Sequence, residues 1–155
     1  MTKNRIAALF APLALIACAQ SASATVIEVT KTPWCGCCTA WIEHLREAGF
    51  TVQTVDVEDV TPVADELGVP AQLRSCHTAK VEGYAIEGHV PAQDVQRLIE
   101  QKPDAVGLAV PGMPIGSPGM DHPTRSDEYQ VVLIAKDGKH TVFATHGGKL
   151  EQHSH

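Results

Sequence analysis

The chain has 155 residues, of which 44% are hydrophobic, 19% charged and 5% aromatic, with a formal net charge of −6. That length leaves room for one domain plus an N-terminal address, and an ordinary apolar content argues against disorder. An acidic surface excludes the basic stripe of a nucleic-acid binder, and the scarcity of aromatics leaves the core to Val, Leu, Ile and Ala.

Residues 1–24 read as a secretory signal. Lys3 and Arg5 form a positive start, and Ile6 to Ala17 is an apolar run short for a bilayer span. Two processing sites compete. Ala22-Ser23-Ala24 is a small-x-small cleavage site, which would start the mature chain at Thr25. Leu15-Ile16-Ala17-Cys18 has the pattern of a bacterial lipobox, which would leave Cys18 as a lipidated end tethered to a membrane. Losing Lys3 and Arg5 takes the charge to −8. The expected location is the periplasm, soluble or lipid-anchored. Cys18 is discarded or lipidated, and Cys35, Cys37, Cys38 and Cys76 remain.

Thr25 to Thr30 alternates and is β-branched, which predicts a strand. Pro33 to Cys38 is a turn. Trp41, Ile42, Leu45 and Ala48 then recur at helical spacing, and Gly49 is a good stop. Phe50 to Val57 alternates again, so the three segments form a βαβ unit. Val60 to Leu67 is a short helix with Thr61 as N-cap and Pro62 at its first position. Ala71 to His77 and Val81 to Glu87 read as two strands meeting near Gly83, and Val90-Pro91 opens a helix that stops at Lys102-Pro103. The order β-α-β-α-β-β-α is that of thioredoxin and glutaredoxin. By that analogy Val69-Pro70 should carry a cis peptide facing the cysteine turn.

Residues 103–123 are rich in Gly and Pro yet apolar, the profile of a functional loop. Two strands, Tyr129 to Ala135 and His140 to Thr145, flank Lys136-Asp137-Gly138-Lys139 as a hairpin. The expected layout is a signal over 1–24, a thioredoxin-like α/β domain over 25–104, an extension with loop and hairpin over 105–146, and a flexible tail over 147–155.

The chemistry concentrates in Lys31-Thr32-Pro33-Trp34-Cys35-Gly36-Cys37-Cys38, where three of five cysteines fall within four residues. A helix N-terminus favours thiolates. C-x-C-C departs from the C-x-x-C of a dithiol enzyme. Thiolates suit Cu(I), zinc and iron–sulfur; zinc wants paired C-x-x-C knuckles, and an exported chain is a poor host for iron–sulfur. Copper fits an envelope location, a Cys-dense turn, and Met113, Met120 and His122 in the loop. The competing reading is a disulfide from Cys35 to Cys38 or Cys37, without metal. Cys76 is either a fourth thiolate or a small core residue. His77 and His89 read as surface or loop-fixing histidines. His146, His153 and His155 read as solvated, and Trp34 as a shield over the turn. No Ser-His-Asp set, phosphate loop or H-E-x-x-H is present.

These stretches, together with Ser75-Cys76-His77-Thr78, Gly83-Tyr84, Ile86-Glu87-Gly88-His89-Val90-Pro91 and Gly107-Leu108-Ala109-Val110-Pro111-Gly112-Met113-Pro114 through Gly116-Ser117-Pro118-Gly119-Met120, resemble the periplasmic CopG-type copper-resistance proteins. The resemblance runs from about Thr25 to Tyr129. It implies a thioredoxin-like domain with a C-terminal extension, and copper bound as a cysteine-bridged cluster with a role in copper redox handling. Carried over, Cys35, Cys37 and Cys38 are metal thiolates and, if the site is redox-active, its reacting groups; Cys76 is the fourth ligand. Met113, Met120 and His122 are weaker ligands. The leading expectation is multinuclear Cu(I) sequestration in copper resistance. A metal-free thiol–disulfide oxidoreductase ranks second, since it leaves the third cysteine and the Met-bearing loop unexplained. A copper chaperone or adaptor docking on an efflux system ranks third.

Overall fold

The computed structural model describes residues 25–148. Residues 1–24, read above as a signal and including Cys18, and residues 149–155, with His153 and His155, lie outside the described residues.

The first strand, β1 (Val26–Lys31), turns Ile27, Val29 and Lys31 inward. The helix α1 (Gly36–Glu47) buries Cys38, Trp41, Ile42 and Leu45, a spacing of three and four that keeps one face apolar. It starts at Gly36, inside the stretch expected as a turn, so Cys37 and Cys38 lie in its first turn rather than in the loop ahead of it. At its far end Gly49 takes a φ of +93°, and its N–H donates to the Arg46 carbonyl, a left-handed exit that suits glycine. The strand β2 (Thr51–Asp56) pairs parallel with β1 from Val26↔Thr51 to Lys31↔Asp56, completing the βαβ unit.

The second helix, α2 (Thr61–Glu66), is one residue shorter at each end than the expected Val60 to Leu67, and its N-cap is Val60. Thr61 is helical rather than the cap, and its N–H is taken by the Asp59 carboxylate at 2.9 Å. No cis peptide bond occurs among the described residues. Val69-Pro70 is therefore trans, and the fold analogy misled there.

The strand expected over Ala71 to His77 is also corrected. Ala71–Leu73 forms a single 3-10 turn in which Leu73 N–H returns to the Pro70 carbonyl. Leu73 is buried beside Ala64 and Val69, and Arg74 reaches back to Asp65 and to the Val69 carbonyl. The sequence Ala-Gln-Leu-Arg-Ser has no alternation to hold a strand against these contacts. The strand β3 starts only at His77 (His77–Val81), and β4 (Tyr84–Glu87) follows a two-residue turn. Both turn residues, Glu82 and Gly83, have positive φ, as this hairpin type requires.

The helix α3 (Ala92–Gln101) ends at Lys102 in the left-handed region. It leads to β5 (Gly107–Ala109), a strand inside the stretch read as loop. β5 runs parallel to β4, so β4, α3 and β5 form a second parallel crossover. A Cβ at Gly107 would lie 1.8 Å from the Ala85 carbonyl oxygen, and only glycine permits that approach. The hairpin of β6 (Tyr129–Ile134) and β7 (His140–His146) then completes the sheet.

The result is a mixed α/β fold with one seven-stranded sheet, ordered β2-β1-β3-β4-β5-β6-β7. Successive residues feed opposite faces. Ile86, Leu108 and Val131 join Trp41, Leu45, Val95 and Leu98 on the α1/α3 side. Ala85, Ala109 and Val132 join Ala64, Val69 and Leu73 on the α2 side. The sheet runs unbroken through segments 25–104 and 105–146. No helix among the described residues is long and apolar enough to cross a membrane.

Candidate metal centre

The antiparallel pairing of β1 with β3 builds the site. Its register sets Lys31 opposite His77, so the last residue of β1 and the first residue of β3 meet at one end of these neighbouring strands. Cys76 precedes that residue, and the cysteine turn follows Lys31. Lys31 itself is buried and committed. Its Nζ donates to the Thr32 carbonyl at 3.2 Å and pairs with Asp56 at 2.7 Å, which clips the turn to β2.

All four expected cysteines converge. Their Sγ atoms lie within 4.8 Å of one another, the only such group of Cys, His, Asp or Glu ligand atoms found among the described residues. Cys76 Sγ is 3.1 Å from Cys35 Sγ and 3.2 Å from Cys38 Sγ, and Cys37 Sγ is 3.5 Å from Cys35 Sγ. Cys35 and Cys38 are joined as a disulfide, while Cys37 and Cys76 are free. Cys35 caps α1, its sulfur accepting the Cys38 N–H at 3.3 Å, so the helix N-terminus addresses sulfur directly.

Cys35 and Cys38 are buried; Cys37 and Cys76 are half-buried. Burial, reinforced by Cys37 alongside, pushes the Cys76 thiol up to about 11. That is opposite to the thiolate-favouring effect expected of the turn, because Cys76 sits on the strand side and is desolvated without a helix end behind it.

The near-equal distances from Cys76 to Cys35 and Cys38 have a chemical meaning. A thiolate opens a disulfide by attacking one sulfur along the S–S axis. Cys76 instead stands beside the bond, level with both sulfurs. With Cys35 and Cys38 reduced, four thiolates this close could share a soft cation.

The segment bearing Cys76 is braced by Glu87, which reading the sequence missed. Glu87 is fully buried. Its Oε1 accepts the Ser75 N–H at 2.5 Å and the Ser75 hydroxyl at 2.8 Å, and its Oε2 accepts the Thr78 hydroxyl at 2.7 Å. Burial raises its pKa, and the Thr78 and Ser75 donors pull it back. An acid at an inward position of a core strand was the available signal.

Three histidines are also placed differently. His146, expected to be solvated, is half-buried at the end of β7 with its Nε2 2.5 Å from the buried Asp94 carboxylate. His77 and His89 are fully buried, not at the surface. His89 does fix a loop, with Nδ1 donating to the Pro118 carbonyl at 2.8 Å. His77 Nε2 donates to the Gly88 carbonyl at 3.0 Å, and its ring packs 4.5 Å from Trp41 and 5.2 Å from His89. Burial, then His89, pushes His77 down to about 3, so it is neutral at ordinary pH. Trp41 secures the layer by donating to the Val90 carbonyl at 2.8 Å.

The loop residues do not join the cluster in the same way. Met113 is 59% exposed. His122 is exposed, its Nδ1 accepting the Thr124 N–H at 3.3 Å, and it lies outside the sulfur group. Met120 is half-buried and follows the point where the loop meets α1. There a Cβ on Gly119 would be 2.7 Å from both the Cys37 carbonyl oxygen and the Trp41 nitrogen. The loop therefore rests on the first turn of the helix through backbone. Trp34, expected to cover the turn, stands 68% exposed.

A family model described as "Protein of unknown function, DUF411" matches residues 73–120. No curated protein sequence matches the chain. Two solved structures do. One, titled "Copper resistance protein copG- Form 2", is 44% identical, with 80% of this chain and 99% of that one covered and a TM-score of 0.76. The other, "Copper resistance protein copG- Form 1", is also 44% identical, with 81% and 100% covered and a TM-score of 0.77.

Proposed function

The chain belongs to the CopG family of copper resistance proteins, and on that premise we propose that it sequesters copper as Cu(I) on the thiolates of Cys35, Cys37, Cys38 and Cys76. The observation that carries this reading is the convergence of four Sγ atoms within 4.8 Å. Cu(I) is the soft first-row ion content with two or three thiolates, and a thiolate readily bridges two ions. Four sulfurs this close would hold several Cu(I) ions through shared sulfur. Binding releases the thiol protons to solvent.

Residue roles follow from position. Cys35 and Cys38 are the inner sulfurs, buried against the helix start. Cys37 and Cys76 form the outer side, where copper enters. The loop through Gly119 limits solvent over the first turn of α1, and Met113, Met120 and His122 would meet copper only on its way in. The order of the first four strands with α1 and α2 supports a thioredoxin-like assignment for residues 25–104. A periplasmic setting, soluble or anchored through Cys18, rests on the residues 1–24.

The bonded Cys35–Cys38 pair favours a second reading at the same site, copper-coupled thiol oxidation. Two Cu(II) ions each take one electron from the Cys35/Cys38 dithiol. One S–S bond forms, two protons leave to solvent, and two Cu(I) ions remain on Cys37 and Cys76. An external thiol reductant restores the dithiol. A metal-free oxidoreductase is less well supported, because Cys76 lies beside the disulfide rather than on its axis. A chaperone role toward an efflux system would use the same cluster.

The test is anaerobic Cu(I) titration of reduced protein and of protein with Cys35–Cys38 oxidised. More than one Cu(I) per reduced chain, with a lower count after oxidation, is expected. No copper on the reduced protein, together with disulfide reductase turnover, would overturn the proposal.

A further inference from the structure

His77 has one nitrogen occupied and one free. Its Nε2 faces the Gly88 carbonyl at 3.0 Å. A carbonyl can only accept, so in the neutral ring Nε2 carries the proton and Nδ1 presents its lone pair. That is how a ligating histidine is oriented, with the far N–H given to a backbone carbonyl. The free Nδ1 lies 3.9 Å from Cys76 Sγ.

That gap suits one shared ion. A metal–thiolate bond of about 2.3 Å and a metal–imidazole bond of about 2.0 Å place two donors on one ion at up to about 4.3 Å. The ring is also held in place. Trp41 packs against it at 4.5 Å and His89 at 5.2 Å, and the Cys76-His77 backbone is pinned on both sides by Glu87 through Ser75 and Thr78. A fully buried imidazole built this rigidly, with its lone pair toward a free cysteine, costs little further ordering on binding.

We propose that His77 Nδ1 is a nitrogen donor to copper held on Cys76, so that the site is a mixed sulfur and nitrogen centre. The inference rests on the copper reading above. It adds one nitrogen donor at the Cys76 side of the sulfur cluster, and it makes His77 a ligand of the copper that Cys76 holds.

The test is long-range 1H–15N spectroscopy of the imidazoles in reduced, 15N-labelled protein, before and after anaerobic Cu(I) loading. The His77 Nδ1 resonance is expected to move on loading while the Nε2–H is retained. His77→Gln is expected to weaken the last-bound Cu(I) about tenfold or more and to remove imidazole scattering from the copper absorption edge. Normal copper loading with an unmoved Nδ1 would overturn the proposal and leave the thiolate cluster standing. Failure of the wild type to take copper would overturn both. Should His77→Gln not fold, the wild-type spectrum decides alone.

Discussion

Two parts of this molecule carry soft donors, and the fold treats them differently. The turn at Cys35–Cys38 and its partner Cys76 are tied to regular elements. A helix N-terminus holds one side, a strand start holds the other, and the Lys31↔His77 register fixes their separation. The loop with Met113, Met120 and His122 is fixed by backbone contact at Gly119 and by the Pro118 carbonyl on His89, while Met113 and His122 face solvent. Donors on rigid elements are preorganised for a cluster. Donors on an exposed loop are suited to transient contact. Nearness in sequence to a cysteine motif is therefore a weaker guide to which donors cluster than the strand register that brings a distant residue alongside it.

Substitution can break that comparison. The largest expected effect is on the rigid side: Cys37→Ser and Cys76→Ser should each lower Cu(I) affinity beyond the roughly 10–100-fold cost of losing an outer-shell partner. Met113→Ala and His122→Ala should leave copper content unchanged, measured by metal analysis after anaerobic loading. Equal losses from both sets would dissolve the distinction. Next comes the brace. Glu87→Ala strands the Ser75 N–H and two hydroxyls in a buried place, at about 2 kcal/mol, and should weaken copper binding through Cys76 alone, a shift visible in denaturant midpoint and copper titration.

Gly119→Ala sharpens the other side. Gly119 has a φ of +83° and no room for a Cβ, so the loop must lift from α1, at about 1–3 kcal/mol of stability. Copper binding by the cysteines should survive, with faster loss of metal to a competing chelator. Intact loop packing with unchanged release would show that the loop does not cover the site.

The smallest effect concerns acid. His44 accepts the Ala92 N–H that opens α3, and burial holds it below its ordinary 6.5 against the pull of Glu47 and Asp121. A depressed folded pKa means its contribution to stability is whole above 6.5 and is lost as pH falls through the folded value. Glu87, whose pKa is raised, works in the opposite sense. His44→Gln keeps an acceptor without the titration, so its melting temperature should fall less between pH 7 and pH 5 than that of the wild type, against the same Glu87 background.

Much of this was written locally in the chain. β1, α1, β2, α3 and the β6–β7 hairpin follow from periodicity and from Gly and Pro at their ends, and the three clustered cysteines are plain in the sequence. β5 was not legible, because Gly107-Leu108-Ala109 has no pattern of its own. It is a strand because β4 and β6 supply partners on both sides and Gly107 lets the backbones close. Ala71 to Arg74 turns because Leu73 and Arg74 find tertiary contacts. The trans Val69-Pro70 bond corrects an expectation drawn from fold analogy rather than from any residue. In the site, Cys76 could be read as core or ligand until the strand register placed it. Glu87, His77 and His89 gained their roles only from burial, which no local motif encodes.

The central claim is that copper sits on the four converging sulfurs. X-ray absorption at the copper edge of anaerobically loaded, fully reduced protein tests it most directly. The account predicts Cu(I) with a sulfur-dominated first shell and a copper–copper vector. A first shell of nitrogen and oxygen without sulfur would contradict it.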